Sequence, residues 1–206
     1  MAKQTFDILA LNETRLDNTI SDSLVHLPGY NLIRRDRNRN GGGVCAYIRN
    51  CINYRRRWDL ENESLELLAL EINKPNSKPF LVLCWYRPSH SPVDHFDVFE
   101  SLLKQAELGF SDIYITGDIN CNLLQDSRDS YTARLINIIE AYQLTQVISE
   151  PTRITSSTST LIDLFITNNT ESIMHSSVYS LSISDHNLIF AIRKIGIPRS
   201  SPRYVN

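Results

Sequence analysis

The rhythm of the apolar residues constrains this chain most. They come in short runs, and each run stops at a polar residue or a turn. Phe6-Asp-Ile-Leu-Ala-Leu11, Tyr30 to Arg35, Val44 to Arg49, Leu65 to Ile72 and Phe80 to Tyr86 all have strand length. The run Phe80-Leu-Val-Leu-Cys-Trp-Tyr86 is wholly apolar but far below the ~18 residues of a membrane span. Tyr30–Arg35 and Val44–Arg49 read as one hairpin, whose turn needs the backbone freedom of Gly41-Gly-Gly43. No Lys-Ser/Thr follows those glycines, so they are not a phosphate-binding P-loop. Ser91-Pro92-Val93-Asp94 predicts a helix start, with Ser91 as cap and Pro92 in the first turn. Phe96, Phe99, Leu103 and Ala106 follow at helical spacing, and Gly109 ends the helix. Asp112 to Thr116 is the next strand, and a second helix runs from about Ser130 to Tyr142. Leu144 to Ile148, Leu161 to Thr167 and Asn187 to Lys194 complete the strands. Many strands with few helices predict an α/β layered sandwich. Residues 1–195 form one domain in this reading, and 196–206 a linker-like tail.

Composition narrows the class. With 42% hydrophobic and 21% charged residues the chain is neither disordered nor, with 7 Gly and 8 Pro, collagenous. Cys45, Cys51, Cys84 and Cys121 form no Cys-x-x-Cys pair, which favours a reduced, intracellular setting. No signal-peptide apolar stretch precedes Asp7. A net charge of −2 argues against a generic basic coat protein. The charge is uneven, however. Residues 34–57 carry eight arginines against Asp36 alone, a local +7 that leaves −9 elsewhere. Such a stretch is either a phosphate-facing patch or a solvated hairpin face, and the sequence leaves both open.

Five polar sites share one placement, at or beside the end of an apolar strand, where ligands of layered α/β folds gather. They are Asn12-Glu13, Tyr86-Arg87, Asp118 with Asn120, Asp163, and Asp185-His186. Acids, an amide and a histidine on one rim suit a hard cation with a base beside it. Singly, each has a plain reading: Glu13 as a solvated loop acid, Asp118 and Asn120 as turn formers, Asp185 as an Asx turn. Asp163 lies inside Leu-Ile-Asp-Leu-Phe-Ile, so it either faces outward or needs a partner such as His186 or an arginine.

Taken in order, the motifs resemble a family. Leu9-Ala-Leu-Asn-Glu-Thr14, Trp85-Tyr-Arg-Pro88, Ile115-Thr-Gly-Asp-Ile-Asn120, Thr160-Leu-Ile-Asp163 and Ser184-Asp-His186 are similar to successive motifs of the endonuclease/exonuclease/phosphatase superfamily. That group includes DNase I, exonuclease III-like apurinic endonucleases and the endonuclease domains of non-LTR retrotransposons. Gly29-Tyr-Asn-Leu-Ile-Arg-Arg-Asp36, Gly41-Gly-Gly-Val44 and Glu150-Pro-Thr-Arg153 resemble the retrotransposon branch. The resemblance spans about Phe6 to Lys194.

The resemblance implies a four-layer sandwich of two mixed β-sheets flanked by helices, and a Mg²⁺-dependent (or Mn²⁺-dependent) phosphodiesterase. Glu13 and Asp185 match metal-site acids, and Asp118 the aspartate that handles the attacking water or the leaving oxygen. Asn120 matches its orienting neighbour, Tyr86 a phosphate contact, and Asp163 with His186 a carboxylate–imidazolium pair. Arg55, Arg56 and Arg57 are the candidate DNA contacts in the basic stretch. The implied act is nicking DNA, inside the nucleus, to leave a 3′-hydroxyl that primes reverse transcription in a parent retroelement whose frame also encodes the polymerase. The alternatives are a related phosphoesterase on another substrate, or a silent remnant that at most binds DNA. One departure bears on the second: the family's first strand, ending in an Asn at the metal site, and the helix after it have no counterpart before the strand that ends at Glu13.

Overall fold

Alternation sorts the apolar runs into two packed β-layers. In the computed structural model the described residues are 6–75, 77–124, 129–181 and 183–194, so the predicted tail at 196–206 lies outside them. In chain order the strands are β1 (Ile8–Asn12), β2 (Tyr30–Arg35), β3 (Val44–Arg49), β4 (Asn53–Arg56), β5 (Glu66–Asn73) and β6 (Phe80–Tyr86). Helix α1 (Asp94–Glu107) precedes β7 (Ile113–Asp118), and α2 (Ser130–Ala141) follows it. Then come β8 (Thr145–Gln146), β9 (Arg153–Ile154), β10 (Ser159–Thr160), β11 (Asp163–Thr167), β12 (Ile173–Tyr179) and β13 (Leu188–Arg193).

The main sheet has six strands in the order β4-β5-β6-β7-β11-β8. Only β6–β7 is parallel, and α1 makes that crossover. Successive residues of its central strands point into different cores, because the side-chain period of a strand is two. Leu67, Ala69, Leu81, Leu83 and Trp85 face the helices, where Trp85 stacks on Phe99 at 4.1 Å. Leu68, Leu70, Val82, Cys84 and Tyr86 face Val44, Ala46 and Ile48 of β3 instead. Burial on both faces explains why β6 reads as unbroken apolar sequence.

The second layer is in two pieces, a three-stranded sheet β1-β3-β2 and the pair β12-β13. Strand β1 lies against β6 and β7, and β13 against β11. The Arg49 N–H donates to Asp7 O at 3.0 Å, which sets the phase of the β1–β3 ladder. By alternation Ile8, Ala10 and Asn12 turn their backbone groups to the opposite edge, and among the described residues no strand pairs with that edge. The layers therefore run helices, mixed sheet, second sheet. No described α-helix covers the outer face of the second sheet.

Differences from the sequence expectation have local causes. Helix α1 begins at Asp94 with Val93 as N-cap and no side-chain cap, so Ser91 is not the cap; its N–H instead closes a turn onto Pro88 O. Helix α2 is capped by Asp129, which accepts from the Thr132 N–H at 2.7 Å. Strand β4 forms inside the arginine-rich stretch because its charges are neutralised in place. Glu61, its side chain 2% exposed, accepts from Arg56 Nε (2.9 Å) and Nη2 (2.8 Å), from Arg35 Nη1 (3.4 Å) and from the Ala69 N–H (3.1 Å). At the far end of the main sheet, Arg193 staples β13 to Tyr114 Oη and Asp112, both at 2.7 Å.

Two substitutions test this packing. Glu61→Gln should lower stability in urea titration by about 2–3 kcal/mol, less than a fully buried pair because both arginines keep some solvent. Gly117→Ala should be at least as damaging, by about 2–3 kcal/mol in the same assay, through strain and clash together. Gly117 has φ +143°, and a Cβ there would stand 2.1 Å from Trp85 O. Wild-type stability in either variant would refute the corresponding contact.

Candidate active site

The candidate site lies where one end of the main sheet meets the second layer. Period two puts Tyr114, Thr116 and Asp118 of β7 on the face toward the second layer, as it does Tyr86 at the end of β6. Strand β11 runs antiparallel to β7 with Asp163 directly opposite Asp118. Side chains so opposed stand on one face with Cβ atoms ~5 Å apart. Two acids are thus forced together by register, and Asp118 is only 7% exposed. Burial first, and then the Asp163 charge, push the Asp118 carboxyl up to about 7.

A cation is supplied by His186, which precedes β13. Its Nδ1 donates to Asp163 at 2.9 Å and 3.2 Å, and that bond raises the imidazole above its ordinary pKa. What joins these segments is 152–154. Buried Thr152 accepts on its hydroxyl from the Ile162 and Asp163 N–H groups at 3.2 and 3.0 Å. Its carbonyl accepts from Asn187 N–H at 2.7 Å, and Arg153 bridges His186 backbone to backbone. Asp185 is exposed and pairs with Arg153 Nε at 2.8 Å, which holds its carboxyl below the usual range.

The other members come from the loops after β1, β6 and β7. Tyr86 Oη donates to Glu13, and burial followed by that carboxylate raises the phenol's pKa. Glu13 and Asn120 both adopt left-handed backbone, at φ 51° and 53°, which is uncommon for residues with a Cβ. The Asn120 N–H donates to Asp118 Oδ1 and its Nδ2 to Arg87 O, both at 3.0 Å.

Seven of the sequence candidates are therefore drawn to one mouth: Glu13, Tyr86, Asp118, Asn120, Asp163, Asp185 and His186. Arg55, Arg56 and Arg57 are not. Arg55 pairs with Glu71 (2.7 Å), Arg56 with Glu61 (2.8 Å), and Arg57 with Asp59 (2.6 Å) and Glu71 (3.0 Å). They stand on or just after β4, the edge strand of the main sheet, and their charges are committed within the molecule. The geometry thus favours the structural reading of that stretch over a phosphate patch. Thr152 and Arg153 escaped a sequence assignment, although Glu150-Pro-Thr-Arg153 marked their segment; nothing local shows that a buried threonine will hold a strand 11 residues on.

The donor set suits a metal ion. Ligand atoms of Asp118, Asp163 and His186 lie within 4.8 Å of one another. Two opposed carboxylates, one of them raised by burial and then by the other's charge, are a pair that a hard divalent cation would relieve. The buried Oδ1 of Asn12, a further oxygen beside Glu13, has no hydrogen-bond partner. The expected metal acids Glu13 and Asp185 flank this group, bonded to Tyr86 and Arg153 respectively.

Comparison with known proteins places the fold. No curated protein matches the chain. The endonuclease domain of TRAS1, a telomere-specific non-LTR retrotransposon, is similar in structure with a TM-score of 0.69 at 14% identity, covering 82% of each chain. The 3′ phosphatase NExo from Neisseria, bound to a product DNA hairpin, superposes with a TM-score of 0.73 at 13% identity over 94% of this chain and 91% of that one. The catalytic domain of Xenopus laevis APE2 gives 0.62 at 14% identity over 91% and 83%. Residues 80–190, more than half of the chain and inclusive of Tyr86, Asp118, Asn120, Asp163 and His186, match the family model described as Endonuclease-reverse transcriptase. On that match, and with a fold shared with these nucleases, the chain belongs to the endonuclease–reverse transcriptase family of the endonuclease/exonuclease/phosphatase superfamily.

Proposed function

We propose that this chain is a divalent-metal-dependent phosphodiesterase that nicks DNA and leaves 3′-hydroxyl and 5′-phosphate ends. The observation that carries this reading is the Asp163–His186 pair set directly opposite a buried Asp118, whose carboxyl burial and the Asp163 charge push up to about 7. In-line attack of water forms a new P–O bond and breaks the bond from phosphorus to the 3′ oxygen. Asp118, with a pKa near the working pH, is suited to take or give the proton that this exchange moves. Asn120, fixed by Arg87 O and Asp118, orients the water or the phosphate. His186 presents its free ring nitrogen to the phosphate as a charged donor, with Asp163 keeping the ring protonated. Tyr86, whose Oη donates to Glu13, would contact the phosphate. Bound Mg²⁺ or Mn²⁺, with Glu13 and Asp185 as its expected acids beside the Asp118 mouth, would neutralise phosphate charge and acidify a water.

The family description and the likeness to a retrotransposon endonuclease domain support a wider role. In it the nick's 3′-hydroxyl primes reverse transcription by a polymerase of the same parent frame, in the nucleus. A second reading, a silent remnant that only binds DNA, draws on the two-piece second layer, whose β1 edge, up to Asn12, pairs with no strand among the described residues.

Supercoiled-plasmid nicking with Mg²⁺ or Mn²⁺ separates the two. Wild type should nick, and Asp118→Ala or His186→Ala should slow nicking by ~10²-fold or more. Wild type no faster than both variants would sink the enzyme reading and leave the silent one.

Proton linkage gives an independent check. Asp118 titrates near 7 in the fold against 3.8 for an unperturbed carboxyl, and His186 lies above 6.5. Both groups bind protons more tightly folded than unfolded. Their stabilisation is therefore present at low pH and lost as pH rises, from about 4 through about 7 for Asp118 and through the raised midpoint of His186. Metal-free wild type should lose melting temperature relative to Asp118→Asn as pH rises over that window. Mg²⁺ competes with these protons, so it should raise the melting point more at about pH 8 than at about pH 5. Parallel pH profiles for the two proteins would remove Asp118 as the group that carries the proton.

A further inference from the structure

Arg87 is 1% exposed, yet among the described residues no carboxylate forms an ion pair with it. A cation buried without a partner is destabilising, and an apolar residue of similar length would ordinarily serve the core better. What Arg87 does touch is informative. Its guanidinium lies between the rings of Phe96 (4.8 Å) and Tyr131 (4.5 Å), which fixes its plane. Nη1 donates to Ile119 O at 3.4 Å and Nη2 to Ser91 O at 3.2 Å, while Nε has no partner.

The backbone of the same residue completes the pattern. The Arg87 N–H donates to Asp118 O at 2.9 Å, and Arg87 O accepts from Asn120 Nδ2 at 3.0 Å. One residue thus meets three consecutive residues of the turn, at 118, 119 and 120. That turn needs a hold from outside, because Asn120 is in the left-handed region and the carbonyl of Ile119 points into the core rather than along a ladder.

We propose that Arg87 is a positioning residue for Asp118 and Asn120, a buried clamp that fixes the Asp118-Ile119-Asn120 turn in its working geometry. The proposal rests on the nuclease reading for its effect on rate, but not for its effect on the turn. The clamp carries no substrate itself. It trades some stability for the placement of two side chains, and displacement by ~1 Å at such a site costs up to ~10²-fold in rate.

Arg87→Met tests the side-chain part of the clamp, because methionine keeps an unbranched apolar stem between Phe96 and Tyr131 and removes the guanidinium donors to Ile119 and Ser91, while the backbone bonds to Asp118 and Asn120 remain. The variant should melt at or above the wild-type temperature. Its kcat for plasmid nicking should fall about ten- to a hundredfold with KM for DNA unchanged. In an Asn120→Ala background the same change should cost little more, since both act through one turn. Hydrogen exchange at the amides of 118–121 should rise in the variant and stay at wild-type rates in β5 and β6. Arg87→Lys, which keeps the charge but cannot reach both carbonyls, should show the same local rise and serves if the methionine variant fails to fold. Unchanged exchange at 118–121, or a rise spread evenly through the core, would overturn the clamp. If wild type does not nick DNA, the nuclease reading fails, and the exchange result alone decides the clamp.

Discussion

The antiparallel register of β7 and β11 is the constraint on which the rest of this molecule turns. It sets Asp118 opposite Asp163 at the mouth between two layers. Each carboxylate alone is an ordinary strand-end acid. Opposed at the mouth, with Asp118 buried, they repel, and burial together with the Asp163 charge raises the Asp118 carboxyl. The structure offers His186 on one side and leaves oxygen donors free for a metal. A one-residue slip of β11 would turn Asp163 into the helix-facing core and bring Leu164 to the mouth. The continuity of that core, with Leu164 and Ile166 buried against the helices, is what makes such a slip unfavourable. The hydrophobic core therefore enforces a charge arrangement that it could not itself tolerate.

Around this pair, several of the candidate side chains are held by residues outside the candidate set. Thr152 ties the Asp163 strand to the His186 segment. Arg153 occupies Asp185, and Arg87 gathers the turn that carries Asn120. These holding residues are buried or paired, whereas the His186 side chain is partly exposed. Such a division, with rigid supports behind a reactive face, is what positional catalysis requires. Left-handed backbone at Glu13 and Asn120, both at the mouth, is strain of the kind that surrounding structure must over-determine.

The basic stretch shows the opposite relation between sequence and structure. Eight arginines in 24 residues resemble a phosphate patch when read alone. In three dimensions Glu61 and Glu71, which lie just beyond that stretch, turn back on it through β4 and β5. Neutralisation by acids more distant in sequence is invisible to a local charge count. The apparent +7 is largely internal wiring between β2, β4 and β5.

Much of this protein was legible in the residues. Strands β2, β3 and β6 stand where their apolar runs predict, because strand burial follows a period of two and needs no distant information. The ordered polar motifs also picked out seven side chains that the fold brings to one mouth, since each lies at or beside the end of an apolar run. Strands β4 and β12 were not legible: one is charged and the other mixed, and only pairing with β5 and β13 makes them strands. Sequence by itself determined the set of groups available for chemistry and the fold family able to gather them. Tertiary structure alone decided that Asp163 faces Asp118 and not solvent, that Asp185 answers to Arg153, and that the arginines of β4 are paired. It also decided that Arg87 is buried behind the turn it touches. The reason is that register, burial and ion pairing are long-range properties, fixed by which strands meet rather than by what any one strand contains.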